Sequence, residues 1–308
     1  MTLRLIGCSF TNWIYPTWAD LCKLHYDHDI KIYGRPGLGN DAFKRLFLTK
    51  VKKNDHVVIM WSGNDRLDHG IDIKYNQDRM PHYIKNSLWS NSFAFRDQMF
   101  VPLNTDSIDY KKHFSLFHAL YKQAEVIVDA QNHAISNNIK YNFLSWQDLF
   151  SDLSHRRERA GLGKTIDLEK YFKNPLFDTV YKIIDKSKFL DDPHHGLLNY
   201  LHKDKALFMY QNAWDFHPSA YAHFKYFIEY IKPRLDKSYK NKNNIEAIKK
   251  TVMEFSDYYK DTDCKDAPFN AKEDNEFTHE KFFSVRSHII ENFFKQFAQQ
   301  LTEGHHYE

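Results

Sequence analysis

An α/β fold built on a mainly parallel sheet is the class this sequence predicts, and three observations predict it. Short apolar runs, Leu3 to Ile6, Ile30 to Tyr33 and Val57 to Met60, are bounded by polar or turn residues, the pattern of strands covered on both faces. Helical apolar periodicity separates them, so the order reads strand, helix, strand, helix, strand. The composition supports a well-filled core: of 308 residues, 42% are hydrophobic and 16% aromatic, while glycine and proline number only 10 and 9.

Taken in order, Leu3 to Ile6 forms the first strand, and Pro16 opens a helix that carries Trp18, Leu21 and Cys22. Ile30 to Tyr33 forms the second strand. Asn40 caps a helix with Phe43, Leu46, Phe47 and Val51 on one face, and Val57 to Met60 forms the third strand. A long helix from about Tyr110 to Ser136, a strand at Lys140 to Trp146 and a helix from about Ser219 to Leu235 continue the alternation. Residues 65–109 and 151–205 break it, being rich in Asn, Asp, His and aromatic residues without steady periodicity, and read as insertions. A polar hinge follows Arg234. Beyond it run two amphipathic stripes, Ile245, Ile248, Val252 and Phe255, then Phe283, Ile289, Ile290, Phe293, Phe297 and Leu301. The division is therefore a main domain over residues 1–236 and a C-terminal helical extension over residues 237–308. The stripes read as core packing, with a homo-oligomer contact as the sharper alternative.

Charge narrows the partners. Forty-three Lys and Arg against 40 Asp and Glu leave a net charge of +3, which calls for neither nucleic acid nor an anionic membrane surface. The Lys-rich stretch from Lys232 to Lys250 lacks stacking aromatics beyond Tyr239 and reads as a solvated linker. No stretch reaches the ~18 apolar residues of a membrane span, and the start has too few apolar residues for a signal peptide. Cys8, Cys22 and Cys264 show neither metal-site spacing nor a disulfide framework, so a soluble protein of the reducing cytoplasm is expected. His25, His28, His194, His195, His305 and His306 lack the accompanying ligands of a known metal site. Neither metal nor cofactor is expected.

Four fragments carry chemistry. Ser9 follows the first strand directly in Gly7-Cys8-Ser9-Phe10-Thr11, at the sheet edge where open α/β folds place their sites. Thr11 stands where a nucleophile elbow would have glycine, which argues against an α/β-hydrolase. The turn Gly34-Arg35-Pro36-Gly37-Leu38-Gly39 follows the second strand and matches neither a dinucleotide fingerprint nor a P-loop. Ser62-Gly63-Asn64-Asp65 follows the third strand, and Asp215-Phe216-His217-Pro218 precedes the last helix of the main domain. A serine nucleophile needs an imidazole to take its proton and a carboxylate to hold that imidazole. A tetrahedral oxyanion needs N–H donors, which a side-chain amide and a glycine amide supply. Singly, each fragment also reads as a turn, a cap or a solvated loop.

Joined in order, the fragments resemble the blocks of the SGNH (GDSL-like) hydrolase family over about residues 1–65 and 207–235. The resemblance implies a three-layer α/β/α sandwich of flavodoxin-like topology. It implies Ser9 as nucleophile, His217 as general base and Asp215 as its orienting carboxylate, with the Ser9 amide, Gly37 and Asn64 forming the oxyanion hole. Cys8 and Ser62 depart from the family pattern without removing a catalytic group. A single residue separates Asp215 from His217, where the family pattern commonly has two. The implied activity is serine esterase, removing an O-acyl group such as acetyl from a small or carbohydrate substrate. An O-acyltransferase using acyl-CoA as co-substrate is the alternative within the same chemistry, and a catalytically silent binding module is the alternative outside it.

Overall fold

The structure, a computed structural model, describes residues 1–13, 15–34, 38–63, 66–72, 93–95, 98–104, 116–150, 172–198, 217–261 and 279–304. Its main sheet contains β1 (Leu3–Gly7), β2 (Ile30–Gly34), β3 (His56–Trp61) and β7 (Lys140–Ser145), all parallel, in the order β2-β1-β3-β7. β1 and β3 are the central strands and are almost wholly buried, as continuous apolar runs require. Phe189 lies beside Phe143 of β7 in the parallel sense, and the Leu190 amide donates to the Phe143 carbonyl at 2.9 Å, so a short segment continues the sheet past β7.

Helices cover both faces. On one lie α1 (Trp18–His25) and α5, which starts as Ala220–Tyr226, widens into a π-helical turn over Phe227–Ile231 and ends with Lys232–Leu235. Against these packs α6 (Ile245–Asp261), and α7 (His279–Gly304) packs against α6. The opposite face carries α2 (Asn40–Lys50) and α3 (Leu116–Ser136), with α4 (Pro175–Ile183) against α3. This arrangement follows from the strand order. β1 to β2 and β2 to β3 run in opposite directions across the sheet, so right-handed crossovers put α1 and α2 on opposite faces. The expected three layers are present.

Between β3 and α3 lies a second sheet, antiparallel, of β4 (Arg66–Asp72), β5 (Phe93–Phe95) and β6 (Gln98–Asn104) in the order β4-β6-β5, with β4 against α2. The core is aromatic: Trp18, Trp61, Trp146, Phe43, Phe47 and Phe143 are fully buried, and each such side chain contributes about 1.5–3 kcal/mol by leaving water. Ile248, Val252 and Phe255 of α6 and Ile289, Phe293 and Phe297 of α7 belong to the same cluster, so the chain itself covers the C-terminal stripes.

Two local readings are corrected. Gly39, not Asn40, occupies the N-cap of α2, because the Asn40 amide is engaged across the fold by the loop after β3. The polar stretch after Leu235 is a clamped segment and not a solvated linker. The Asp27 amide donates to the Lys240 carbonyl at 3.0 Å, the Lys242 amide to His25 at 2.7 Å and the Asn243 side chain to the Leu24 carbonyl at 2.6 Å. The Tyr26 hydroxyl donates to Asp236 at 2.9 Å, and Tyr239 is buried against His56. Its Lys and Asn side chains look polar in sequence, but the segment's backbone pairs with the end of α1.

Candidate active site

The register of the sheet brings the ends of its strands to one edge: Gly7 pairs with Gly34, Ile6 with Ile59 and Trp61 with Ser145. The strand order reverses between β1 and β3, which opens a crevice outside their carboxyl ends. Ser9 lies there, buried, in a tight turn in which the Thr11 and Asn12 amides both donate to the Cys8 carbonyl at 3.0 and 3.1 Å.

The turn is fixed by its neighbours. The Asn12 side chain donates to the Gly34 carbonyl at 2.8 Å, and the Thr17 hydroxyl donates to the Thr11 carbonyl at 2.8 Å. Glycine is required where the turn crosses the strand ends. A Cβ at Gly7 would lie 2.1 Å from the Thr11 hydroxyl, and one at Gly34 would lie 2.5 Å from the Asn12 Cβ.

The loop after β3 is held by a two-way amide clamp. The Ser62 amide donates to Asn40 Oδ1 at 2.8 Å while Asn40 Nδ2 donates to the Ser62 carbonyl at 2.9 Å, as a neighbouring strand would. Asn40 also donates to Gln123 of α3. The chain therefore leaves β3 from an anchored point at Ser62.

His217 comes to the same edge from the other end of the sequence. Its imidazole lies flat against the Trp13 indole, centroids 3.8 Å apart at 15°, and tilts against Phe10 at 5.2 Å. Both rings belong to the loop that begins at Ser9. Pro218 and Ser219 then start α5, the Ser219 hydroxyl accepting from the Ala222 amide at 3.0 Å. His223, one turn into α5, is fully buried. Burial and the neighbouring His217 hold it neutral, its pKa lowered to about 3. It therefore adds no positive charge beside His217 near neutral pH.

Of the five site residues expected from sequence, Ser9 and His217 lie among the described residues and are brought to one loop. Gly37, Asn64 and Asp215 lie outside the described residues. The structure adds residues that sequence reasoning missed. Asn12 and Asn40 tie the edge loops together, Trp13 stacks on His217, and Arg286 of α7 donates to the Trp13 carbonyl and, at 2.7 Å, to Asp20. Asn40 had a signal, an amide directly after a glycine turn, but a cap satisfied it equally. Arg286 had none, since both of its partners lie near the opposite terminus.

Another buried carboxyl, Asp191, lies beyond β7. Burial raises its pKa well above the ordinary carboxylate range, while the Tyr226 hydroxyl and the Ser145 amide donate to its Oδ2. His194 lies between the Tyr181 hydroxyl at 2.5 Å and Asp148 at 3.2 Å, and His25 meets the Asn243 carbonyl at 3.1 Å. Among the described residues, no group of three His, Cys, Asp or Glu is placed to hold a metal ion, and no helix is long and apolar enough to cross a membrane.

No protein-family model matches the chain, and no curated protein matches it in sequence. Among solved structures it is similar to the acetylxylan esterase Axe2 from Geobacillus stearothermophilus, with 16% identity and a TM-score of 0.37 over 75% of this chain and 92% of that one. It is similar also to a variant of that acetyl xylan esterase, with 15% identity and a TM-score of 0.38 over 79% of this chain and 97% of that one.

Proposed function

We propose that this chain is a serine esterase of SGNH type that removes an O-acyl group, acetyl in the simplest case, from a small or carbohydrate alcohol. The observation that carries the reading is the meeting of His217 with the loop that begins at Ser9, in the crevice outside the ends of β1 and β3.

In this reading neutral His217 takes the Ser9 hydroxyl proton as the Ser9 oxygen attacks the acyl carbon, and the carbonyl π pair moves onto oxygen. The Ser9 amide, the Gly37 amide and the Asn64 side chain donate to that oxyanion. Collapse expels the alcohol, which takes the proton back from the His217 imidazolium. Water, deprotonated by His217, then releases the acid and regenerates Ser9. Asp215 orients His217 and balances its transient charge.

Reaction with a fluorophosphonate probe tests the nucleophile. One label is expected on Ser9, located by peptide mass spectrometry, and none in Ser9→Ala. Equal labelling of Ser9→Ala, or a label on Ser62, overturns the assignment. Turnover of acetylated sugars, and of acyl-CoA with and without a sugar acceptor, then separates hydrolysis from transfer.

A further inference from the structure

Trp13 touches both His217 and, through its backbone, the C-terminal helix. Its indole covers one face of the His217 imidazole, and its carbonyl accepts a hydrogen bond from Arg286. Arg286 is buried, and its other terminal nitrogen donates to Asp20 Oδ1 at 2.7 Å. The second Asp20 oxygen accepts from the Thr17 amide at 2.9 Å, and the Thr17 hydroxyl holds the Thr11 carbonyl. The loop after Ser9 is therefore pinned at two carbonyls, Thr11 from α1 and Trp13 from α7.

A general base must present one ring nitrogen to the serine and the other to its carboxylate, so both edges of the ring have to stay free. A stack engages the ring face and not its edges, and it restrains the tilt of the imidazole. The same face attracts a cation, and an imidazolium forms in the proposed reaction.

We propose that Trp13 is a positioning residue for His217 and that Arg286 keeps Trp13 in place, so that α7 supports the active site. This rests on the reading of His217 as general base. Among the described residues, the charged or titratable groups around this stack are His223 and the Arg286–Asp20 pair. His223 from α5 is kept neutral by burial, Asp215 precedes His217 in the chain, and Arg286, paired with Asp20, donates to the Trp13 carbonyl. Phe10 supplies an uncharged ring.

The test uses the full chain with Trp13→Leu, Trp13→Phe and Arg286→Lys. Arg286→Lys keeps a charge for Asp20 but lacks the fork that spans both partners. The first readout is independent of turnover: the proton resonances of the His217 ring, assigned with His217→Gln, are expected to be displaced upfield by the indole and to lose that displacement in Trp13→Leu. The second is kinetic. Trp13→Leu is expected to lower kcat about tenfold with KM within about twofold, and to move the acidic limb of the pH profile to lower pH. Trp13→Phe restores most of both, and Arg286→Lys reproduces the Trp13→Leu changes at smaller size. A labelled, active wild type whose Trp13→Leu variant keeps kcat and the acidic limb overturns this inference alone. A wild type that takes no label on Ser9 and turns over no ester overturns the esterase reading and this inference with it.

Discussion

A methyl group at Gly34 would meet the Asn12 Cβ at 2.5 Å and the Asn12 nitrogen and Cys8 carbonyl at 3.2 Å, and two of those three atoms are backbone. Gly34→Ala must therefore displace the turn that holds Ser9, at a cost of roughly 1–3 kcal/mol. The expected outcome is a lowered thermal midpoint together with slower fluorophosphonate labelling of Ser9; a variant unchanged in both would show that the turn gives way freely. That Ser9 follows β1 directly and His217 immediately precedes α5 was legible in the sequence, because both positions follow from the order of strands and helices. Asn40 was read as a cap because a helix start and a cross-fold clamp ask for the same amide. Trp13 and Arg286 were illegible for another reason. An aromatic near a turn and an arginine on an amphipathic helix acquire their roles only from partners brought together by the fold.

At the scale of the element, β3 begins with a histidine that its apolar run does not explain. His56 is fully buried between Tyr239, whose hydroxyl meets Nδ1 at 2.6 Å, and Asn142, whose Oδ1 meets Nε2 at 2.9 Å. Burial is the main cause that lowers its pKa, to about 4, against about 6.5 for an exposed imidazole. Between those values the unfolded chain binds the proton and the folded chain does not. Stability is therefore full above about pH 6.5 and falls as the pH drops toward 4, with about 2 kcal/mol lost by pH 5 from this residue. His223 adds a loss of the same sign that extends to about pH 3. Thermal midpoints measured from pH 7.5 to 5 should fall less in His56→Gln than in the wild type; parallel curves would remove His56 from the account. The four strands of the main sheet and helices α1, α2, α3, α5, α6 and α7 were legible from their apolar runs and periodicity, whereas β4, β5, β6 and α4 were not, because their segments lack a steady period. The segment Asp236 to Asn244 was not, because its polar composition describes its side chains while its backbone pairs with α1.

For the whole molecule, the C-terminal helices close the face formed by α1 and α5, and Tyr239 and Arg286 reach from that region to β3 and to the loop after β1. Truncation after Asp236 would uncover that face and remove both residues. An insoluble product, or one without near-ultraviolet circular dichroism, is expected; a soluble product with native spectra and full Ser9 labelling would show that residues 237–308 are dispensable. The Trp13 to Arg286 bond also bears on the making of the protein, since its partners are 273 residues apart in sequence. A ribosome adding about 5–20 residues per second delivers the anchor roughly 15 to 50 seconds after the loop it anchors. Through that interval the apolar face of α1 waits in a nascent chain for covers synthesised after it, exposed to chaperones and to aggregation. Any activity that depends on the anchored loop is then confined to chains whose translation has passed Arg286.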